Sequence, residues 1–367
     1  LEESRASLNQ ALHINPHHAD ARSNLGNTLR KLGRLDEAIT SFQKAIALQP
    51  NFPVAHFNLS LVYLVQGKFK EGWSEYQWKW LRDGKVRPLP PTPWDGTDLK
   101  GRDVFLHAEQ GLGDEIFFLR FVDWLKRRGA GRVVYRPSPK IASLLSRVAW
   151  INRLAAVEET PSPAELVFSV GDLPRLLGMT RAEEIPPPLS FAPLPERLEA
   201  MRARLVALGP APYVGVTWRA GTREKQGTLY KECPTEQLAK LLQEMPATTL
   251  ILQRHPAPGE VNAFAKVLGR PVHDLSALND DLEEMLALLM LIDEYVGVSN
   301  TNMHLRAAVG KTARVLVPVP PEWRWMAEGK ESPWFPEFSV YRQGYDGDWG
   351  RALGALGQDL RQTFGGC

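Results

Sequence analysis

A 34-residue period opens the chain, and it limits what the chain can fold into more than any other feature. Pro16 and Pro50, Ala11 and Ala45, and Gly33 and Gly67 each stand 34 positions apart. Between them, "ADARSNLGNTLRKLGRLDEAITSFQKAIALQP" (19 to 50) reads as two amphipathic helices. Leu25, Leu29 and Leu32 mark one apolar face, and Ala38, Phe42, Ala45 and Ile46 mark the next. Gly26 and Ala38 are small enough for the paired helices to approach closely. Gly33 suits the turn between them, and Pro50 closes the unit. Residues 51 to 80 repeat the pattern through Ser60, Gly67, Gly72 and Tyr76. A period of this length implies stacked helix pairs, each burying its apolar face on its neighbour, with a concave face along the stack. About three units are ordinarily needed for stability. Only two and a fraction are visible, so the array is either truncated or capped by the next domain.

The next stretch, "LRDGKVRPLPPTPWDGTDLKG" (81 to 101), is rich in proline, glycine and aspartate and reads as an extended linker. Trp94 within it reads as an anchor on a neighbouring domain. The remainder alternates short β-branched runs with helical patterns. Strand-like runs are "DVFLHA" (103 to 108), "RVVYR" (132 to 136) and "AELVFS" (164 to 169). After the break "GPAP" (209 to 212) come "YVGVTW", "TTLILQ", "EYVGVS" and "ARVLVP". Helical segments are expected at 114 to 128, 138 to 147, 193 to 208, 234 to 243, 258 to 268 and 281 to 291, and from 302. Such alternation implies parallel sheets with helices on both faces, and the restart implies two of them with a cleft between. The organisation expected is therefore repeats over 1–80, a linker over 81–101, a first α/β half over 102–209 and a second over 210–367. The last helix is read as free to pack back on the first half.

Ligands in parallel sheets bind beyond the carboxyl ends of the strands, so the residues there carry the functional reading. "HAEQGLGDEIFFLRF" (107 to 121) turns through Gly111 and Gly113 onto Asp114 at a helix start. Asp114 reads as a cap on free helix amides or as a general base facing the cleft. Glu115 reads as a first-turn charge on the helix dipole. "TWRAGTREKQGTLYKECP" (217 to 234) places Arg219, Arg223, Lys225 and Lys231 with two glycines ahead of a helix. That composition suits a diphosphate, or else a solvated basic loop. "GVSNTNMHLRAAVGK" (297 to 311) ends a strand at Ser299 and opens a helix through Asn300, Thr301 and Asn302, with Thr301 or Asn302 as its cap. His304 falls in its first turn, where the dipole disfavours protonation. A neutral imidazole there is either structural or a donor to a sugar hydroxyl or phosphate. Trp323, Trp325 and Trp334 near the end read as structural anchors.

Composition excludes several classes. The formal net charge is +2, from 44 Lys plus Arg against 42 Asp plus Glu, which is too balanced for a nucleic-acid partner. The two cysteines, Cys233 and Cys367, are far apart, which argues against a disulfide framework or a Cys-based metal site and fits a reducing, cytoplasmic setting. No apolar run reaches the ~20 residues of a membrane helix. There is no zinc-type spacing, no nucleophile elbow and no Walker lysine loop.

Taken together, the motifs "PWDG…LKGRDVFLHAEQGLGDEIFFLRF", "VGVTWRAG", "LALLMLIDEYVGVSNTNMHLRAAVGK" and "EWRWMAEGKESPWFPEFSVYRQ…GDW" resemble tetratricopeptide repeats fused to a glycosyltransferase-family-9-like, heptosyltransferase-like domain. The resemblance implies an α/β fold of the GT-B type, two Rossmann-like halves preceded by the all-α repeat segment. It implies inverting transfer from a nucleotide-sugar held mainly on the second half, with no metal and no other cofactor. Carried over, Asp114 matches the proposed base, Lys231 a phosphate-contacting lysine, and Thr301 and His304 the threonine and histidine of an Asp-Thr…His-Leu motif. Asn300 stands where that motif carries aspartate, so activity or donor choice departs there. Arg219, Arg223 and Asn302 join the expected donor side, with Gly111, Gly113, Gln253 and Asn300 as cleft contacts. The repeats imply a protein or peptide acceptor. The other readings are a non-catalytic scaffold with a degenerate GT-B half and a saccharide heptosyltransferase.

Overall fold

The computed structural model describes residues 1–82, 92, 94, 98–108, 111–221 and 230–365. Five antiparallel-stacked helices form the repeat segment: α1 (Glu2–Ile14), α2 (Ala19–Lys31), α3 (Leu35–Leu48), α4 (Pro53–Val65) and α5 (Phe69–Tyr76). Gly33 and Gly67 both adopt φ 76° at the turns between paired helices, a conformation L side chains avoid. A Cβ at Gly26 would sit 2.7 Å from the Phe42 ring. The small residue that the period demanded is thus what lets α2 and α3 touch. Most of the linker expected over 81–101 lies outside the described residues. Trp94 is described, and its ring lies 5.6 Å from that of Phe168.

The α/β part holds two parallel sheets. In the first the order is β3-β2-β1-β4, from β1 (Val104–His107), β2 (Val133–Arg136), β3 (Arg153–Leu154) and β4 (Leu166–Ser169). In the second, β5 (Tyr213–Thr217), β8 (Thr248–Ile251), β9 (His273–Asp274), β10 (Glu294–Val298), β11 (Arg314–Val317) and β12 (Ser339–Arg342) run in the order β12-β11-β10-β5-β8-β9. Between β5 and the next helix, β6 (Arg219–Ala220) and β7 (Lys231–Glu232) make a short antiparallel pair. Strands β1 and β4 are buried at every position, as continuous apolar runs in parallel sheets should be. Gly297 in β10 is obligatory for the sheet. A Cβ there would fall 2.1 Å from Thr217 Oγ1 and 2.4 Å from the Thr217 carbonyl.

Three details differ from the sequence expectation. The helix expected over 114 to 128 is two, Leu112–Leu119 and Val122–Arg127. Helix Pro195–Leu208, counted with the first half, packs on Leu282–Leu291 of the second, and Arg197 reinforces the contact by an ion pair to Glu284. The last helix, Gly350–Phe364, stays in the second half, where Leu353, Leu356 and Leu360 pack with Leu238 and Leu242 of the Thr235–Gln243 helix. Its apolar stripe is used up there, so it does not cross to the first half.

The repeats do not end in solvent. Phe57, Leu64, Phe69, Trp73 and Tyr76 share one continuous core with Phe117 and Phe118 of the first half and Trp323 and Trp334 of the second. The array is therefore capped by the α/β part.

Candidate active site

The first-half contribution starts where β1 ends. Gly111 takes φ 87° and opens the helix Leu112–Leu119, with no side-chain cap bond among the described residues. Asp114 in the first turn folds back so closely that a Cβ on Gly111 would lie 3.1 Å from Asp114 Oδ2. Its carboxylate accepts a hydrogen bond from the Arg324 guanidinium, and its side chain stays 38% exposed. Asp114 is thus tied to Arg324 across the two halves. Glu115 is a clear departure. It is fully buried, its Oε1 accepting from the Tyr135 hydroxyl at 2.7 Å and the Ser138 N–H at 2.9 Å. Burial pushes its carboxyl above the ordinary range. Glu115 pins the end of β2 rather than decorating a helix dipole.

The second half brings Lys231 and His304 to the same place. The β6–β7 pair returns the chain so that Lys231 lies beside Ala220. Its ammonium donates to Glu322 Oε2 at 2.9 Å, and the Ser299 hydroxyl donates to the same oxygen at 3.0 Å. The other carboxylate oxygen of Glu322 accepts from Arg324. Lys231, Glu322, Arg324 and Asp114 thus form an alternating chain of charges from the second half to the first. Arg324 sits sandwiched, its guanidinium 4.4 Å from the ring centres of both Phe117 and Trp323. Burial alone would raise the Glu322 carboxyl, yet the charges of Lys231 and Arg324 hold it well below the usual carboxylate range. Burial likewise opposes the charge on Arg324, and Asp114 and Glu322 overcome it. Each member is charged because its neighbours are.

His304 packs edge-on to Phe117 and Phe335, with ring centres 6.0 and 5.3 Å away. A Cβ on Gly113 would lie 3.3 Å from His304 Nε2, so the second glycine of the turn gives the imidazole its room. Burial first, and then the Arg324 charge, lower its pKa well below the ordinary value. The sequence reading reached the same neutral imidazole by a different cause, the helix dipole.

Other expected residues are drawn elsewhere. Arg219 is held by Glu260 and by the His255 carbonyl at 3.3 Å, leaving Lys231 as the described cation of that loop aligned with the charge chain. Arg223 lies outside the described residues. Gln253 Oε1 accepts from the Trp218 and Arg219 N–H groups at 3.1 and 2.9 Å, and so braces the backbone leaving β5. Asn300, not Thr301 or Asn302, caps the following helix, its Oδ1 accepting from the Asn302 N–H at 2.8 Å. Its amide nitrogen donates to the Val298 carbonyl and the Thr217 hydroxyl at 3.0 and 2.9 Å. A carboxylate could not donate these bonds, so the asparagine is matched to this interior. Asn302 turns its amide to Asn279 at 3.2 Å, and Thr301 holds the first helical position. Glu322 and Arg324 were missed in the sequence. The available signal was two opposite charges interleaved with two tryptophans in "EWRW", since charge buried among aromatics must be paired.

Comparison with known proteins agrees with this architecture. Family models described as "Tetratricopeptide repeat" and "TPR repeat" match residues 7–40 and 26–67. Protein FlbA of Caulobacter vibrioides is 26% identical over 387 residues, an alignment that covers 96% of this chain and 63% of that protein. The chain thus spans less than two thirds of that relative's length. Among solved structures, the glycosyl transferase family 9 protein of Veillonella parvula superposes with a TM-score of 0.54 at 11% identity, over 74% of this chain and 99% of that one. The E. coli ADP-heptose LPS heptosyltransferase II gives 0.48 at 14% identity, over 71% and 99%. The first of these likenesses is one of fold.

Proposed function

Starting from tetratricopeptide repeats joined to a family-9 type glycosyltransferase fold, we propose that the chain moves a glycosyl group from a nucleoside-diphosphate sugar to a protein or peptide brought in by the repeats. The supporting observation is the meeting of Asp114, Lys231 and His304 at the carboxyl ends of strands from two different sheets. One ionic chain through Arg324 and Glu322 ties Asp114 to Lys231.

In this reading the acceptor hydroxyl attacks the anomeric carbon from the side opposite the diphosphate. The new C–O bond forms as the bond to the diphosphate breaks, and configuration inverts. Asp114 takes the hydroxyl proton. The departing diphosphate leaves with the electron pair, and Lys231 meets its growing charge. Neutral His304 donates one hydrogen bond, to a donor hydroxyl or phosphate oxygen. Lys231 and Arg324 supply positive charge at the junction, so the reading needs no metal.

Asp114→Asn should remove transfer, measured as sugar incorporated into acceptor, while nucleotide-sugar binding by calorimetry stays within about threefold. Undiminished transfer in that variant would remove Asp114 as base. One observation favours the scaffold reading instead: Glu322 already neutralises Lys231. That reading requires a wild-type chain that binds no nucleotide.

A further inference from the structure

Glu322 is a buried carboxylate held by two cations and a hydroxyl at the junction of the two sheets. Its side chain is 12% exposed and takes Lys231 Nζ at 2.9 Å and Ser299 Oγ at 3.0 Å on one oxygen and Arg324 on the other. Two cations and a hydroxyl converging on two oxygens is the recognition set of a phosphate. These contacts run between side chains and not to backbone atoms. They meet at the end of β10, where Ser299 precedes the cap of helix Thr301–Ala308, and at the end of the β6–β7 pair. Arg324 bridges the same carboxylate to that of Asp114.

We propose that Glu322 is an internal stand-in for the donor's diphosphate. It occupies Lys231 and Ser299 in the empty site and must yield Lys231 when a nucleoside diphosphate enters. This inference rests on the transfer reading above. Displacement has a consequence on the other side of the chain. When the diphosphate takes Lys231, Glu322 retains only Arg324 as a charged partner. Arg324 then divides its donors less evenly and relaxes its hold on Asp114. A carboxylate freed from a guanidinium accepts a proton more readily. Glu322 is therefore a positioning residue: it couples an occupied donor site to a competent base, and keeps the base quiet while the donor site is empty.

The test is calorimetric titration of the full chain with UDP, ADP, GDP and CDP, in wild type and Glu322→Gln. Glutamine keeps the shape and removes the competing charge. The inference predicts that Glu322→Gln binds the preferred nucleotide about tenfold more tightly, while transfer slows and its acid limb moves in pH. Glu322→Asp, whose shorter carboxylate reaches Lys231 less well, should tighten binding in the same direction by a smaller factor. In a Lys231→Met background the Glu322→Gln gain should vanish. A Glu322→Gln chain that is folded by circular dichroism and binds nucleotide no better than wild type overturns the inference and leaves the transfer reading standing. If Glu322→Gln does not fold, Glu322→Asp decides by the same sign. Absence of nucleotide binding in wild type and variants alike overturns both.

Discussion

At the residue scale, the chemistry of the site is set by pairs that lie far apart in sequence. Asp114 reads locally as a helix cap or a base, and it pairs with Arg324. Nothing near Asp114 announces that partner, so the pairing was not legible, whereas the Gly-x-Gly-Asp turn itself was. His304 was legible as neutral, and its neutrality makes a pH prediction. Its folded pKa lies below the unfolded value of about 6.5. Below that value the unfolded chain binds a proton that the folded chain refuses, so stability falls as pH drops through that window and levels off above it. The groups facing the imidazole are Arg324, Glu322, Arg120 and Lys231. Denaturant melts between pH 5 and 8 should show this acid-side loss, and His304→Gln should flatten it. Gly297 gives a second prediction. Gly297→Ala forces a methyl into the Thr217 backbone and should destabilise the chain by about 3 kcal/mol in chemical denaturation. A change under about 0.5 kcal/mol would mean that β5 and β10 are less tightly apposed than described.

At the element scale, the continuous apolar runs were readable as strands because parallel strands are buried on both faces. The two-residue strands β3, β9, β6 and β7 were not, since two residues carry no period. The pair β6–β7 matters most, because it carries Lys231 into the site. Helix α5 shows the same limit in another form. Its repeat-consensus face, Trp73 and Tyr76, is spent on Trp323 and Phe118 at ring-centre distances of 5.3 and 6.1 Å rather than on a third repeat. Trp323→Ala should therefore cost about 3–5 kcal/mol. Because Trp323 also faces Arg324, the same variant should lower transfer more than it lowers nucleotide affinity. Equal losses in both would mean that the ring serves packing alone.

At the scale of the whole molecule, the repeats and the α/β part share one core, and that is the main departure from a reading by domains. Residues 1–80 looked separable because their period stops at a proline-rich stretch. The structure instead seats α4 and α5 against Trp323, Trp334 and the segment around Ala327, whose N–H donates to the Val65 carbonyl at 2.8 Å. No helix among the described residues is long and apolar enough to cross a membrane. Calorimetry of the full chain should show one unfolding transition joining α4 and α5 to both sheets. Deleting residues 1–82 should expose the tryptophan cluster and yield aggregated protein. Two well-separated transitions, or a soluble and active truncated chain, would show the halves to be independent.

The proposed occupant of the junction between the two sheets is a nucleoside-diphosphate sugar. This is tested most directly by incubating the full chain with a panel of nucleotide-sugars and measuring released nucleoside diphosphate, with Lys231→Met and Asp114→Asn in parallel. Wild type should release nucleoside diphosphate from one donor class; release should be lost in both variants, and donor binding only in Lys231→Met. No binding or release from any donor, or release unaffected by either substitution, would contradict it.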